Sequence, residues 1–232
     1  MILKRLLSVV SLGVGIVAFG LAWAASAQKQ SAEHAPDPAR GAVIAAQGTA
    51  AGAPACAQCH AFNGVSDASG AFPRIAGQSA YYLAKQMRDF ASDIRTNALM
   101  SPVAKALTSD DIADVAAYYA AIKAPFLPLP KPDPALVTQG EKLAKVGNEA
   151  RQIPGCDNCH GPGGVGEPPA IPYLAGQYAS SIALELQMWQ RGLRKNSPDE
   201  MAPLAKRLSE QEIEAVAAYY QQVRGSAAAQ AQ

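Results

Sequence analysis

All four cysteines of the chain lie in two copies of one pattern, Cys-x-x-Cys-His. The first copy is formed by Cys56, Cys59 and His60, and the second by Cys156, Cys159 and His160. This pattern is typical of covalent c-type haem attachment, in which two thiols form thioethers with the two vinyl groups of one porphyrin. The histidine that follows then binds the iron as the proximal ligand. The sequence therefore predicts two covalently bound haem c groups.

Other cysteine sites explain the pattern less well. A zinc site could use all four thiolates, and an exported protein could form disulfides, but neither explains a histidine directly after each pair. A thioredoxin-like motif would occur once and near a βαβ pattern, which the sequence does not show.

The first residues have the features of an export signal. Lys4 and Arg5 precede an apolar run over 6–24, and the small residues 25–27 are typical of a cleavage site. A signal peptide over residues 1–27 is predicted, in agreement with haem attachment outside the cytoplasm, and it indicates the periplasm. The apolar run is longer than usual, so an uncleaved membrane anchor stays the alternative.

The chain consists of two similar halves, whose haem motifs lie 100 positions apart. Three further segments recur in the same order, namely 72–78 with 171–177, 100–105 with 201–206, and 115–119 with 216–220. Duplication of one haem domain explains this repeat. Five prolines between the halves favour an extended, semi-rigid spacer. The predicted organisation is a signal peptide 1–27, an N-terminal domain 28–124, a Pro-rich linker 125–134, a C-terminal domain 135–224 and a flexible tail 225–232.

Each half is predicted to be helical, which gives an all-α fold. The last helix of each half begins at a capping box, Thr108 with Asp111 and Ser209 with Glu212. Apolar residues then recur at helical spacing, and no alternating run long enough for a confident strand is present. In the first helix of each half, we expect Gly41 and Gly140 to permit a close crossing with the last helix of the same half. Each last helix carries two tyrosines, and all four are expected in the core: Tyr118, Tyr119, Tyr219 and Tyr220.

The sixth iron ligands follow by elimination. The chain has three histidines, and the one outside the motifs, His34, lies in a polar stretch after the leader. Methionine is the next candidate, and it raises the reduction potential. When the repeats are aligned, Met87 corresponds to a Leu and Met188 to an Asp. Met100 and Met201 correspond to each other, in stretches expected to be irregular. Met100 and Met201 are therefore predicted as the axial ligands opposite the proximal histidines.

A proximal histidine usually donates its second ring N–H to a carbonyl oxygen. Pro73 and Pro172 follow the two histidines by 13 and 12 residues. Either proline could supply that carbonyl or could mark a plain turn, and the residues alone leave both readings open.

The chain resembles a dihaem cytochrome of the cytochrome c4 family, within the class I cytochromes c, over residues 40 to 224. The resemblance rests on segments present in both halves: the Cys-x-x-Cys-His motifs, the Pro-x-x-Ala-Gly-Gln segments, the Met-x-Pro segments and the Ala-Ala-Tyr-Tyr helices. It implies two cytochrome c-like domains related by a pseudo-twofold axis, neighbouring haems with His/Met ligation, and carbonyls of Pro73 and Pro172 that hold the proximal histidines. The two halves differ at one position of this segment, where Arg74 aligns with Tyr173. A contact between a cation and a haem propionate would therefore exist in one half only.

By this resemblance the chain is expected to be a periplasmic electron carrier rather than an enzyme. The resemblance also allows peripheral association with the membrane. The expected donor is a quinol–cytochrome c reductase or a dehydrogenase, and the expected acceptor is a terminal oxidase. Two alternatives stay open: the cytochrome subunit of a periplasmic dehydrogenase complex, and, less favoured, a dihaem peroxidase or thiosulfate-oxidising enzyme. With 20 Lys and Arg against 19 Asp and Glu, the charge gives no basic face for nucleic acid.

Overall fold

The computed structural model describes residues 34–67 and 69–224. From Pro36 onward the described residues form one compact unit. The predicted signal peptide and the predicted tail lie outside the described residues. Within the described ranges, none of the helices is both long and apolar enough to span a bilayer.

The architecture is helical, as predicted. The N-terminal half contains α1 (Pro38–Gln47), α2 (Ala57–His60), α3 (Ala80–Ala91), α4 (Met100–Lys105) and α5 (Ser109–Ala121). The C-terminal half contains α6 (Pro134–Lys145), α7 (Asp157–His160), α8 (Ala179–Gln190), α9 (Met201–Arg207) and α10 (Glu210–Gln222). The backbone between α5 and α6 has neither helix nor strand over 122–133. The bounds of the linker and of the two domains stay a prediction.

The C-terminal half also has one small β-hairpin. Its strands β1 (Gly147–Asn148) and β2 (Ile153–Pro154) pair antiparallel around a 3-10 turn over Glu149–Arg151. The sequence predicted no strand here. Two residues per strand are too few for the alternation of apolar and polar side chains that would reveal one.

Side-chain caps fix where the long helices begin. Asp37 and Asp133 precede α1 and α6, and their carboxylates accept main-chain N–H groups of the first turn. The capping boxes predicted at Thr108 and Ser209 are both formed at the starts of α5 and α10. Each cap satisfies donors that have no partner within the helix.

The first and last helices of each half cross at a glycine, as predicted. A Cβ added to Gly41 would overlap the carbonyl oxygen of Asp114 in α5, and one added to Gly140 would overlap the carbonyl oxygen of Ala215 in α10. The backbones therefore approach more closely than any larger residue would allow. In the C-terminal half this crossing is part of a buried cluster that also includes Leu186 and Trp189 of α8.

A mostly buried ion cluster joins the two halves. Glu185 of α8 pairs with Arg95 of the N-terminal half and with Arg194 of its own half, the latter at 2.7 Å. Thr96 donates its N–H to the Leu193 carbonyl at 2.9 Å, and Lys195 donates to the Ile94 carbonyl at 2.8 Å, so the backbones of the two halves are bonded beside it. No pattern in the sequence indicated this interface.

The acidity of Glu185 reflects this cluster. Burial acts to raise the pKa of the Glu185 carboxyl, but the charges of Arg95 and Arg194 outweigh burial, so the pKa lies below its usual range. Glu185 is therefore ionised in the folded protein at neutral pH and compensates two cations.

Replacing Gly140 by Ala should lower the free energy of unfolding by about 1 to 3 kcal/mol, because the added Cβ forces α6 and α10 apart. Urea unfolding of the haem-bearing protein measures this change. Lys142→Ala, an exposed change in the same helix, is the control and should alter stability by less than about 0.5 kcal/mol. Equal stability of Gly140→Ala and the wild type would contradict the close crossing.

Replacing Glu185 by Gln should lower the free energy of unfolding at neutral pH by about 1 to 3 kcal/mol, because Arg95 and Arg194 lose their charged acceptor. A carboxyl whose pKa is lowered by folding stabilises the protein above its unfolded pKa of about 4.3 and loses that effect as the pH falls through the folded value. The difference between wild type and Glu185→Gln should therefore be constant above about pH 5 and shrink below about pH 4. Unfolding curves at several pH values measure this.

The control for this change is Glu141→Gln, which removes an exposed ion pair with Lys145 on α6. Exposed pairs of this kind contribute about 0 to 1 kcal/mol, so its effect should be small at every pH. A pH-independent difference between wild type and Glu185→Gln would show that the charge of Glu185 does not stabilise the interface.

Candidate haem sites

Each Cys-x-x-Cys-His motif forms a single helical turn. Cys56 and Cys156 cap α2 and α7, which end at His60 and His160. The carbonyls of both first cysteines accept N–H groups from the second cysteine and the histidine, at 3.2 and 3.0 Å in each copy. A turn of this kind brings residues three apart onto one side, as two bonds to one porphyrin require.

All four thiols are free of disulfides. Cys59 and Cys159 are exposed, whereas Cys56 and Cys156 are half-buried. Burial raises the pKa of the Cys56 thiol, and it raises the pKa of Cys156 to about 11. At neutral pH both thiols therefore keep their protons until they react.

The two histidines are buried and face the predicted prolines. His60 Nδ1 lies 3.1 Å from the Pro73 carbonyl oxygen, and His160 Nδ1 lies 2.8 Å from that of Pro172. Since a carbonyl oxygen can only accept, Nδ1 carries the proton and Nε2 keeps its lone pair. Burial lowers the pKa of both imidazoles against the opposing effect of the carbonyls. The prediction that these carbonyls hold the histidines is confirmed, and each ring can offer Nε2 to iron.

Met100 and Met201 occupy equivalent places, each at the first residue of a short helix, α4 or α9. The expectation that they lie in irregular stretches was wrong, because side chains just upstream cap these helices. Asn97 Oδ1 accepts the N–H of Met100 at 2.9 Å, and Ser197 Oγ accepts that of Met201 at 3.2 Å. Both methionines are half-buried, and their assignment as axial ligands stays a prediction.

The tyrosines of the last helices bind the segments that carry the haem motifs. Tyr220 donates its hydroxyl to Asp157 inside the second motif at 2.7 Å. Tyr118 and Tyr119 donate to the carbonyls of Phe62 and Ala61, just after the first motif, at 2.8 and 3.3 Å. Tyr119, Tyr219 and Tyr220 are buried, as predicted, and Tyr118 is only partly buried.

Two glutamines that were not among the predicted site residues link the halves beside the histidines. Gln177 Oε1 accepts the N–H of Arg74 at 2.9 Å, and its Nε2 donates to the Arg74 carbonyl at 2.8 Å. Gln78 makes the same two bonds with the main chain of Tyr173, both at 3.3 Å. A signal was available, because both residues end the repeated Ala-Gly-Gln segment.

Arg74, which aligns with Tyr173 in the repeat, is buried against the start of the linker. Its guanidinium donates to the carbonyls of Ala124 and Pro125 at 2.6 and 2.9 Å and lies 4.7 Å from the centre of the Phe126 ring. Tyr173 instead donates its hydroxyl to the carbonyl of Ala76 in the other half, at 2.6 Å. Contact of Arg74 with a haem propionate stays a prediction.

The groups present in each half fit a covalently bound haem. Two free thiols on one helical turn can form thioethers, and a neutral buried imidazole with a free Nε2 can bind iron. Across residues 34–67 and 69–224, no three His, Cys, Asp or Glu side chains are grouped as a metal site.

Comparisons with known proteins agree with this arrangement. A family model described as "Cytochrome C oxidase, cbb3-type, subunit III" matches the chain twice, over residues 42–118 and 142–219. The "Thiosulfate dehydrogenase electron acceptor" of Stutzerimonas stutzeri is 40% identical over 170 residues, which are 73% of this chain and 79% of that protein. The cytochrome c4 of Pseudomonas aeruginosa is 40% identical over 169 residues, 72% of this chain and 82% of that protein.

The chain belongs to the cytochrome c4 family. Among solved structures, reduced cytochrome c4 from Pseudomonas stutzeri is 33% identical with a TM-score of 0.71, covering 82% of this chain and all of that one. The as-isolated thiosulfate dehydrogenase from Marichromatium purpuratum is 39% identical with a TM-score of 0.74 and covers 81% of this chain, but the match spans only 40% of that longer chain. This member of the cytochrome c4 family is thus an electron-transfer protein with two tandem domains and two covalently bound haem c groups.

Replacing Met100 by Ala in this cytochrome c4-family protein should open one of the two haems to added ligands, because the sixth position loses its side chain. Carbon monoxide should then bind the ferrous protein at one haem and leave the other unchanged, as absorption difference spectra would show. Met201→Ala should open the other haem.

The control is Met87→Leu, since Met87 packs on the cluster of α3 and α5 and Leu fills a similar volume. It should bind no carbon monoxide. If the spectrum of Met100→Ala equals that of the wild type, the ligand assignment is wrong.

Proposed function

We propose that this protein is a periplasmic carrier of single electrons, which accepts them from a dehydrogenase or a quinol–cytochrome c reductase and passes them toward a terminal oxidase. The observation that supports this most is that both halves present the same set of groups: a turn with two thiols, a buried neutral histidine and a half-buried methionine. With Cys56, Cys59, Cys156 and Cys159 bonded to haem, and with His60, Met100, His160 and Met201 as axial ligands, neither iron keeps an open position for a substrate.

Haem bound at these residues would supply one-electron chemistry, because its iron has a ferric and a ferrous state. The protein has to hold the ligands in one geometry in both states. The carbonyls of Pro73 and Pro172 fix the rings of the histidines, and the caps at Asn97 and Ser197 fix the starts of the helices that carry the methionines. Because these contacts hold each ring and each helix start, the ligands should move little when an electron is transferred.

A second candidate is the role of electron acceptor within a dehydrogenase complex. The relative from Stutzerimonas stutzeri carries the name of a thiosulfate dehydrogenase electron acceptor, and the solved chain from Marichromatium purpuratum contains a region similar to this protein. We infer that a thiosulfate-oxidising dehydrogenase is a fitting donor, while oxidation of thiosulfate itself belongs to that partner.

Export through residues 1–27 and peripheral membrane association remain part of the proposal.

Mixing the oxidised protein with purified thiosulfate dehydrogenase and thiosulfate in a stopped-flow spectrometer should reduce both haems. Quinol–cytochrome c reductase with a quinol serves as the second donor, and the faster reaction identifies the preferred partner. Omission of the dehydrogenase is the control, and thiosulfate or peroxide alone should give no turnover because no iron has an open position. A high-spin haem in the isolated protein, or turnover without a partner, would contradict the carrier function.

A further inference from the structure

One peptide group in each half is bonded on both of its polar sides. In the peptide between Pro73 and Arg74, the oxygen accepts from His60 Nδ1 at 3.1 Å, and the N–H donates to Gln177 Oε1 at 2.9 Å. A single amide therefore lies between the histidine of the N-terminal half and a side chain of the C-terminal half.

The reverse arrangement completes the pair. In the peptide between Pro172 and Tyr173, the oxygen accepts from His160 Nδ1 at 2.8 Å, and the N–H donates to Gln78 Oε1 at 3.3 Å. Each glutamine thus contacts the peptide that holds the histidine of the opposite half. The contact made by Gln177 is the shorter of the two.

The main chain fixes the orientation of both side-chain amides. A peptide N–H requires the oxygen of the glutamine, and the neighbouring carbonyl requires its nitrogen. Nε2 of Gln177 and of Gln78 donates to the carbonyls of Arg74 and Tyr173. Each Oε1 also accepts the N–H of the residue that follows it in the sequence. For Gln177 this is Tyr178 at 3.0 Å, and for Gln78 it is Ser79 at 3.2 Å.

These bonds are partly buried. Gln78 is 7% exposed and Arg74 is 6% exposed, while Gln177 and Tyr173 are partly buried. In such surroundings consecutive hydrogen bonds polarise one another. An acceptor on the N–H of a peptide makes its carbonyl oxygen a stronger acceptor, and a stronger bond to Nδ1–H makes the imidazole a more basic ligand.

We propose that Gln78 and Gln177 are positioning residues that tune the reduction potential of the haem in the opposite half. Gln177 acts on the haem bound by His60, and Gln78 acts on the haem bound by His160. A more basic imidazole stabilises the ferric state, so each glutamine lowers the potential of the haem across the interface. This inference rests on the proposed function of His60 and His160 as proximal ligands.

The test is an NMR-detected redox titration of Gln177→Leu and Gln78→Leu, with each haem followed through the ring protons of its own histidine. Gln177→Leu should raise the potential of the His60 haem and leave the other unchanged, and Gln78→Leu should do the reverse with a smaller shift, because its bonds are longer. The Nδ1–H proton of the affected histidine should also exchange faster with solvent. Gln177→Asn and Gln78→Asn keep the amide but shorten its reach, so they should shift the same haems if the Leu variants fail to fold.

The matched control is Tyr178→Phe. It removes another bond between the halves, from the Tyr178 hydroxyl to the Val65 carbonyl, without touching either peptide beside the prolines. It should weaken the interface and produce no shift confined to the opposite haem. If the glutamine variants move both potentials equally, move only the haem of their own half, or behave like Tyr178→Phe, the inference is overturned.

Failure of this inference is distinguishable from failure of the proposed function. Absorption and NMR spectra of the wild type first report whether both haems have His and Met ligands. Normal ligation with unshifted potentials in the glutamine variants would overturn the tuning role alone. Spectra of the wild type without His/Met ligation would overturn the ligand assignment before any variant is titrated.

Discussion

The bond between each buried histidine and a proline carbonyl is the interaction on which the rest of the structure depends. It keeps the proton on Nδ1 and leaves Nε2 available. Each proline therefore has to be held in place, and several elements contribute to this. In the N-terminal half, Ile75 and Ala76 donate to the Gly64 carbonyl, and Gly77 donates to the Tyr119 carbonyl at 2.8 Å.

The same loop is bonded to the haem-binding segment, to the last helix and to the other half of the molecule. In the C-terminal half, Leu174 and Ala175 donate to Gly164, and Gly176 donates to Tyr220. Reciprocal contacts by Gln78 and Gln177 then join the two loops. Few bonds thus separate the side chains of one half from the histidine of the other. Networks of buried polar groups of this kind fix a unique geometry, because each unpaired member would be costly.

Much of this architecture could be predicted because it repeats. The haem motifs, the capping boxes at Thr108 and Ser209, and the crossings at Gly41 and Gly140 are local patterns that occur twice. The starts of the short helices at Met100 and Met201 were missed, since their caps lie in segments without helical periodicity. Contacts between the halves were missed for another reason: a hydrogen bond between residues about 100 positions apart leaves no trace in spacing. Only the recurrence of a polar residue in both copies indicated Gln78 and Gln177.

The ion cluster at the interface also decides which domains can associate. Arg95 and Arg194 occupy the same position of the two repeats, and each bonds both Gln86 and Glu185. These two acceptors also occupy one repeat position, but only the C-terminal half has a carboxylate there. Two copies of the N-terminal half, joined in the same way, would bring two arginines together with Gln86 in place of Glu185. The carboxylate that this half adds to the cluster, that of Asp89, already pairs with Lys85. The difference between Gln86 and Glu185 thus favours the pairing of unlike halves within one chain over the pairing of two N-terminal halves.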